Sequence, residues 1–396
     1  MPYRILSLDG GGSWALIQVK ALIALYGENT LGNSILENFD MVAANSGGSI
    51  VLGGLVENLT LADLLGMFED VDLRKSIFSP TSTWGDRVLH DVTGLGPKYS
   101  SANKLPALQH ALPKKGNVAL NIVASGLRRP GAPNDVHLLI IGFDYDRNRA
   151  TFFRSAETNG GVEWGYGETT TITLAEAIHA STNAPVNYFD SPATFPDRPR
   201  RYWDGAITGC NNPVLAGVTE AICMGVKPSD IVALSIGTGT VALPWPEPGE
   251  AGSPYVQKLE EPGLVKDLRK LAASILDDPP DIAAFLAHVM TDSGHGIAAP
   301  ADSRIVRMSP LISPIKASGG TWGPPSGMTA AQFTYLANLD MDAVEQPQVD
   351  AIGRFADLWI DNAVLNQPIR MSADTLKREL GQVWFKDAVA AWEEIR

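Results

Sequence analysis

The chain has 396 residues, of which 45% are hydrophobic and 19% charged, with 38 Gly and 27 Pro spread along it. This is the composition of a globular, loop-rich protein that can bury a sizeable core, and it excludes a disordered or fibrous chain. The net charge of −13 argues against nucleic-acid binding, which needs clustered Lys and Arg, and it disfavours electrostatic docking on anionic lipid.

The N-terminal segment MPYRILSLDGGG lacks a charged region followed by a long apolar one, and nowhere do 18 apolar residues follow one another. We therefore expect a cytoplasmic, soluble protein without a signal peptide or transmembrane segment, and any membrane contact is expected to be peripheral. The two cysteines, Cys210 and Cys223, do not imply a disulfide framework.

From the N-terminus onward, predicted strands are followed by turns and then by predicted helices, which is typical of an α/β protein with a mostly parallel sheet. The first elements are a strand at 4–8, a helix at 14–26, a strand at 39–45 and a Gly-rich helix that ends near residue 58. Two strand–turn–helix units therefore open the chain.

Six further strands and four further helices are predicted. The strands are at 118–124, 136–143, 150–153, 201–203, 231–236 and 303–308, and the helices are at 173–182, 213–224, 348–360 and 373–395. The Pro- and Gly-rich segment 242–254 is predicted to be a surface loop or lid margin. We predict a single domain over residues 1–396, with a core at about 1–312 and a mainly helical C-terminal part at about 313–396.

The first motif with chemical meaning, Asp9-Gly10-Gly11-Gly12-Ser13, falls between the first predicted strand and helix. Its glycines let the backbone turn tightly, so that successive N–H groups converge beside the positive end of a helix dipole. Such a turn can hold a phosphate or the oxyanion of an acyl-transfer intermediate. A plain turn is the other interpretation.

The second motif, Ala44-Asn45-Ser46-Gly47-Gly48, also joins a predicted strand to a helix. A nucleophilic serine needs a sharp elbow with small residues two positions before and after it, and Ala44 and Gly48 provide them. The usual pattern has Gly at the first of these positions, so Ala44 departs from it by one methyl group. A helix N-cap is the alternative role for Ser46.

The third motif, Trp203-Asp204-Gly205-Ala206, ends a predicted strand. The carboxylate of Asp204 can act as a general base, or it can accept hydrogen bonds from the N–H groups of a turn. Each motif has a plain structural explanation by itself. Their order, with all three at strand ends, favours one common site.

Together the three motifs resemble the patatin-like phospholipase family, whose pattern is a DGGG turn, a GxSxG elbow and a DG[GA] motif. Further similarity lies in Gly96-Pro97-Lys98-Tyr99, in 180–185 with Tyr188-Phe189, in 234–239 and in Met341-Asp342. The resemblance implies a three-layer α/β/α sandwich with a mostly parallel central sheet. It also implies the following site residues: catalytic Ser46 and Asp204, an oxyanion hole at Gly10, Gly11 and Gly12, and motif support from Asp9, Gly48 and Gly205.

The implied function is that of a serine lipid acyl hydrolase of the phospholipase A or esterase type, which uses a Ser-Asp dyad and an acyl-enzyme and needs no cofactor or metal. Its substrate would be a phospholipid, galactolipid or small ester. The family usually has Arg or Lys and then Gly after the DGGGx turn, whereas this chain has Trp14 and Ala15. Head group, chain length, positional selectivity and oligomeric state do not follow from the sequence.

A dyad leaves no catalytic task for histidine, whereas a Ser-His-Asp triad requires one in a loop after a late strand. His295 is the one loop candidate for that role, and His137, His179 and His288 fall in apolar strands or helices, where structural roles are expected. No His-x-x-x-His or Cys-x-x-Cys spacing occurs, so no metal site is predicted.

Two other functions compete with the hydrolase. A phosphotransferase of the actin or sugar-kinase type also opens with a strand and an acidic Gly-rich turn and has a later Gly-Thr-Gly loop, here 237–239. It leaves Ser46 unexplained, and no basic residue lies near either Gly-rich loop. A non-catalytic patatin-like protein that binds lipid or a partner is the second alternative, because Trp14, Ala15 and Ala44 depart from the family pattern.

Overall fold

The computed structural model describes residues 1–81, 96–156, 166–168, 171–186, 188–196, 198–250, 252–259, 261–263, 267, 270, 279–291, 303–317, 320–372 and 376–396. The strands are β1 (Tyr3–Leu8), β2 (Met41–Asn45), β3 (His137–Asp144), β4 (Arg149–Arg154), β5 (Tyr166–Glu168), β6 (Ala193–Phe195), β7 (Arg198–Asp204), β8 (Ile231–Ile236), β9 (Thr240–Val241), β10 (Ile305–Met308), β11 (Leu311–Ile312), β12 (Ile315–Lys316), β13 (Trp322–Gly323), β14 (Arg370–Met371) and β15 (Arg378–Leu380).

The α-helices are α1 (Leu16–Tyr26), α2 (Gly32–Leu36), α3 (Gly47–Val56), α4 (Leu61–Glu69), α5 (Val71–Ile77), α6 (Lys104–Ala111), α7 (Leu120–Val123), α8 (Leu174–Ser181), α9 (Val214–Cys223), α10 (Pro279–Thr291), α11 (Ala330–Ala337), α12 (Gln346–Ile360) and α13 (Phe385–Ile395). Short 3-10 turns lie at Gly12–Ala15, Gly205–Thr208 and Pro228–Asp230. In the described part of the chain, no helix is both long and apolar enough to cross a membrane.

The central sheet has the strand order β10-β8-β1-β2-β3-β4-β5, and its first five strands are parallel. β4 and β7 both pair antiparallel with β3, and β6 pairs with β7. Successive side chains of a strand point to opposite faces. In β1, Leu6 and Leu8 accordingly join one buried cluster while Ile5 joins another, together with α9 and α10. Helices therefore cover both faces of a mostly parallel sheet, as expected.

β2 and β7 pair with successive parts of β3, and this arrangement brings distant parts of the chain together. β2 pairs with β3 as far as Asn45, which lies opposite Ile141. The next residue of β3, Gly142, lies opposite Asp204, the last residue of β7. β7 thus pairs with β3 beyond the point where β2 ends, and the carboxyl ends of β2 and β7 meet.

The structure differs from two of the predicted elements. Residues 118–124 contain the one-turn helix α7 rather than a strand, since Leu120 and Val123 are buried while Ile122 is exposed, a spacing of three instead of two. Within the predicted helix at 373–395, residues 378–380 form β15, which pairs with the preceding β14, and residues 385–395 form α13; 373–375 lie outside the described residues. A Cβ at Gly381 would lie 2.7 Å from the Ile369 nitrogen, so the chain approaches itself closely there.

The C-terminal helices α12 and α13 pack against the N-terminal part of the chain. Trp359 and Phe385 form an edge-to-face pair with centroids 4.6 Å apart, and Trp392 stacks on Phe39 at 5.9 Å. Such aromatic pairs each contribute about 0.5–1.5 kcal/mol beyond the area they bury. Trp359 and Trp392 belong to the same buried cluster as Leu6 and Leu8 of β1, so one core reaches from the sheet to the last helix.

Candidate active site

Ser46 occupies a sharp elbow between β2 and α3. Its φ of 46° and ψ of −124° lie outside the regions that non-glycine residues normally adopt. Residues in such conformations cost of order 1–3 kcal/mol and persist only where the surrounding structure holds them. Around this one the packing is tight, because a Cβ at Gly48 would lie 2.3 Å from the Leu8 carbonyl oxygen. The small residue that the motif requires after the serine is therefore explained by contact with β1.

Asp204 is buried beside this elbow, with 2% of its surface exposed. Its Oδ1 accepts hydrogen bonds from the Ala206 N–H at 2.9 Å and from the Asn45 Nδ2 at 3.2 Å. Burial raises the pKa of Asp204, while hydrogen bonds from Ser46, the Ala206 N–H and Asn45, together with the charge of Lys104, lower it. The Ser46 hydroxyl and the Asp204 carboxylate are thus neighbours in a site with little solvent.

The Gly-rich turn lies against the same elbow. Gly11 and Gly12 have φ values of 148° and 56°, which L-residues rarely adopt. The Gly10 N–H donates to the Asn211 carbonyl at 2.8 Å. In the described part of the chain, the backbone N–H groups of Gly11 and Gly12 have no such backbone acceptor. We therefore narrow the expected oxyanion donors from three glycines to Gly11 and Gly12, with Gly10 holding the turn in place.

An apolar pocket opens above Ser46, Gly12 and Gly47. Its walls come from α3, α4, α5 and α6 and from Thr182, Ala184, Tyr188 and Phe189. Apolar side chains dominate the lining, among them Ile50, Phe68, Ile77, Phe78, Leu108 and Phe189. Ligand pockets in proteins have this character, with mostly apolar walls and a few placed polar groups. The pocket therefore offers apolar surface next to Ser46.

A strap of three residues, Asp340-Met341-Asp342, covers the Gly-rich turn from the far end of the chain. The Ser13 N–H donates to the Met341 carbonyl at 3.1 Å, and the Trp14 Nε1 donates to the Asp340 carbonyl at 3.1 Å. Met341 also lines the pocket. The sequence motif Met341-Asp342 therefore belongs to the site, although it lies outside every strand and helix.

The strap is tied to two other loops that carry family-like motifs. Lys98 bridges the Asp340 and Asp342 carboxylates at 2.9 and 3.0 Å. The Tyr99 hydroxyl donates to Asp342 at 2.6 Å, and the Tyr188 hydroxyl donates to Asp340 at 2.5 Å. Both hydroxyls have raised pKa values, chiefly because they are buried and also because they face these carboxylates. The two hydroxyls therefore stay protonated and remain hydrogen-bond donors at neutral pH.

The residues that depart from the family pattern are buried away from the pocket. Trp14 is 7% exposed and packs edge-to-face on Phe355 of α12, with centroids 6.4 Å apart. Ala15 and Ala44 are fully buried, and Ala44 lies opposite Leu8 in the parallel ladder of β1 and β2. These three positions belong to the core beneath the site.

Asp9 forms a buried ion pair that could not be predicted from its sequence motif. Its Oδ2 lies 2.5 Å from the Arg307 Nη2 of β10, and Arg307 also donates to Ser235 of β8. Burial raises the pKa of Asp9 to about 6, although the Arg307 charge and hydrogen bond lower it. Because β8 lies next to β1 and β10 lies next to β8 in the sheet, this pair anchors the start of the Gly-rich turn to both strands.

The histidines with predicted structural roles are buried and held by other groups. His137 lies 3.2 Å from the buried Glu220, and His288 Nδ1 lies 2.9 Å from the Ser303 hydroxyl. Burial and the nearby Lys104 charge lower the pKa of His179 to about 3, so it is neutral. His295 lies outside the described residues, and the triad alternative therefore keeps the test given below.

Three further residues of the site were not predicted as site residues from the sequence. Ser181 accepts from the Ser46 N–H at 2.9 Å, and the Thr238 hydroxyl donates to the Gly10 carbonyl at 2.7 Å. Lys104 lines the pocket from α6. Ser181 and Thr238 lie in the segments 180–185 and 234–239, which resemble the family, but neither residue was assigned a role from the sequence. Nothing in the sequence around Lys104 distinguishes it from a surface lysine.

A serine elbow, a Gly-rich turn and a buried aspartate meet at the carboxyl edge of a mostly parallel sheet, which defines an α/β protein with a serine-centred site. The family model for patatin-like phospholipases matches residues 6–218, more than half of the chain. The chain belongs to the patatin-like phospholipase family.

Two solved structures are similar to this chain at low sequence identity. VipD from Legionella pneumophila is 9% identical, with 90% of this chain and 67% of that chain covered and a TM-score of 0.37. The type III effector protein ExoU is 11% identical, with 90% of this chain and 53% of that chain covered and a TM-score of 0.28. This chain thus spans about two thirds of the first and about half of the second. Among curated proteins, none matches it.

Proposed function

We propose that this protein is a serine lipid acyl hydrolase in which Ser46 is the nucleophile and Asp204 the general base. The observation that carries the proposal is that a strained, buried Ser46, which lines an apolar pocket, lies beside the buried Asp204 carboxylate. A hydroxyl is a weak nucleophile unless an adjacent base takes its proton, and burial makes Asp204 a stronger base than an exposed aspartate.

The reaction uses only groups of this chain and water. Asp204 accepts the Ser46 proton while the oxygen attacks the ester carbonyl, and the N–H groups of Gly11 and Gly12 bind the resulting oxyanion. Collapse expels the alcohol, which takes a proton from Asp204, and leaves an acyl-enzyme on Ser46. Water then adds to the acyl group while Asp204 accepts its proton, and collapse releases the carboxylic acid as Asp204 returns the proton to the Ser46 oxygen.

The pocket indicates an acyl ester with a hydrocarbon chain as the substrate. Its walls offer apolar surface next to the nucleophile, and each buried CH₂ contributes about 0.8 kcal/mol to binding. Phospholipid, galactolipid and small esters all fit this description, and peripheral contact with a lipid surface accompanies the first two. No metal or cofactor has a step in this reaction.

The test is turnover of p-nitrophenyl butyrate together with labelling by a fluorophosphonate probe, which reacts with activated serines. We expect Ser46→Ala to abolish labelling and to lower turnover by at least about 10⁴-fold, and Asp204→Asn to lower turnover by about 10²–10⁴-fold. Both variants are expected to keep the wild-type circular dichroism.

Matched controls are Ser34→Ala and Asp361→Asn, which change the same residue types at exposed positions in or next to helices. They should retain wild-type labelling and turnover. Near-wild-type turnover of Asp204→Asn, or loss of activity in His295→Ala, would replace the dyad by a triad. An unlabelled wild-type protein would favour the binding-protein alternative.

A further inference from the structure

Lys104, the first residue of α6, is a lysine in an unusual place. Only 1% of its surface is exposed, and its ammonium nitrogen donates a hydrogen bond to the Thr182 carbonyl. The same nitrogen lies 3.8 Å from the centroid of the Phe189 ring. A buried charge is costly unless hydrogen bonds, aromatic faces and an opposite charge compensate it. The first two are present in these contacts.

The opposite charge is Asp204. Lys104 lines the same pocket as Ser46, and the Thr182 carbonyl that it binds precedes the Asn183 carbonyl, which accepts from the Asp204 N–H at 3.0 Å. Burial lowers the pKa of Lys104 well below its ordinary value and the charge of Asp204 opposes this, while the charge of Lys104 lowers the pKa that burial raises in Asp204. Within the described residues, Lys104 is the charged group that acts on Asp204 in this way. The buried carboxylate therefore has Lys104 as a cationic neighbour.

The other titratable groups of the pocket, and the nearby His179, do not supply a positive charge to Asp204 in place of Lys104. His179 of α8 is neutral because burial and Lys104 lower its pKa to about 3. Arg74 of α5 lines the pocket, but its three nitrogens donate to Phe68, Val344 and Gln346 at 2.7–3.0 Å. Tyr188 donates to Asp340 and, with its raised pKa, stays uncharged.

We propose that Lys104 is a positioning residue of the hydrolase reaction, whose ammonium group keeps the buried Asp204 ionised and ready to accept the Ser46 proton. The proposal rests on the function proposed above. During attack, the negative charge moves from Asp204 to the oxyanion beside Gly12, which lines the same pocket as Lys104. The cation therefore supports the charged site at the start and loses little of its attraction as the reaction proceeds.

The sign of the expected effect follows from the chemistry of the base. Only ionised Asp204 can accept a proton, so kcat/KM rises with pH through the pKa of this carboxyl. Removal of a nearby positive charge raises that pKa. Loss of Lys104 should therefore move the acid limb of the pH profile to higher pH, by about one unit, whereas loss of packing alone changes the height of the profile and not its midpoint.

The experiment measures kcat/KM for p-nitrophenyl butyrate from acidic to mildly alkaline pH. Lys104→Met removes the charge and keeps the length, and Lys104→Gln removes the charge but keeps a donor for the Thr182 carbonyl. Lys104→Arg restores the charge. Leu108→Met is the matched control, because Leu108 lies one turn further along α6, is equally buried and lines the same pocket. Circular dichroism reports folding of each variant.

We expect the Met and Gln variants to shift the midpoint upward, and the Arg and Leu108 variants to keep the wild-type midpoint. Should the Met variant not fold, the Gln variant decides alone. A wild-type midpoint in folded, uncharged variants overturns this inference but leaves the hydrolase intact, since Ser46→Ala is tested separately. Activity that survives Ser46→Ala would instead remove the proposed function itself.

Discussion

At the scale of single residues, the main departure from the family pattern is Trp14, which stands where the family usually has Arg or Lys. A cation there that touched the oxyanion directly would contribute about 10²–10³ in rate. Trp14, however, is buried against Phe355 and donates its indole N–H to the Asp340 carbonyl. A side chain at this position therefore fixes the Gly-rich turn through packing and does not face the substrate.

Trp14→Arg is expected to change kcat/KM by less than about tenfold per folded enzyme, because the side chain lies outside the pocket. Replacing a buried tryptophan also removes packing, so the free energy of unfolding should fall by about 3 kcal/mol or more. The measurement combines urea unfolding with p-nitrophenyl butyrate turnover, normalised to the fraction labelled by fluorophosphonate.

The informative comparison is Trp14→Phe, which keeps an aromatic ring and loses the N–H donor, at a cost of about 1 kcal/mol. A hundredfold or larger gain in kcat/KM for Trp14→Arg would mean that the natural chain is a degenerate hydrolase with a binding role. Equal turnover of the arginine and phenylalanine variants agrees with a structural role for Trp14.

At the scale of elements, the elbow between β2 and α3 depends on how closely α3 approaches β1. The Cβ of any residue larger than glycine at position 48 would lie 2.3 Å from the Leu8 carbonyl oxygen and 2.6 Å from that of Asp9. Both contacts are with backbone, which cannot rotate away. The helix would have to move outward and take Ser46 with it.

We expect Gly48→Ala to lower the free energy of unfolding by about 1–3 kcal/mol and to reduce kcat more than KM, since the strain falls on the nucleophile. Gly66→Ala is the matched control within α4, because nothing lies within 4 Å of its added Cβ. There, the same change should stabilise the protein by up to about 1 kcal/mol. Thermal unfolding and steady-state kinetics test both, and an unchanged kcat in Gly48→Ala would contradict the proposed approach of α3.

At the scale of the whole molecule, the buried carboxyl group of Asp9 makes stability depend on pH. The folded-state pKa of Asp9 is about 6, above its ordinary value of 3.8, because the carboxyl is buried. The folded protein therefore binds more protons than the unfolded chain between these values. Stability from this group is fully present below pH 3.8 and is lost as pH rises through about 6.

This loss amounts to roughly 3 kcal/mol, since each unit of pKa difference corresponds to about 1.4 kcal/mol. We expect the unfolding free energy of the wild type, measured relative to Asp9→Asn, to fall by about that amount between pH 4 and 7. Urea unfolding at several pH values gives both curves. Asp9→Asn also leaves Arg307 without its carboxylate, which lowers that curve as a whole, so the slope is the decisive quantity and parallel curves would contradict the expectation.

Local patterns in the sequence predicted most of the sheet and the three motifs of the site. The strand at 231–236 has the predicted bounds, and the helix predicted at 173–182 is α8, whose capping box begins at Thr173. These elements were predictable because alternation, helical spacing and capping are properties of neighbouring residues. The one-turn helix α7 and the β14–β15 hairpin were not, since so few residues carry too little periodicity to outweigh tertiary packing. The single-domain organisation stays a prediction.

The sequence by itself determined the family and the Gly-rich turn, and it predicted Ser46 and Asp204 as nucleophile and base, because each belongs to a short motif whose residue types follow from local geometry. Only the tertiary structure decided that the Gly10 N–H is already bonded, that Trp14 faces the core, and that Lys104 is buried in the pocket of Ser46. These properties depend on contacts between residues far apart in the chain, such as the continuation of β2 by β7 along β3. Local sequence patterns cannot predict such contacts. The free energy that favours them comes from the packing of the whole sheet and its helices together.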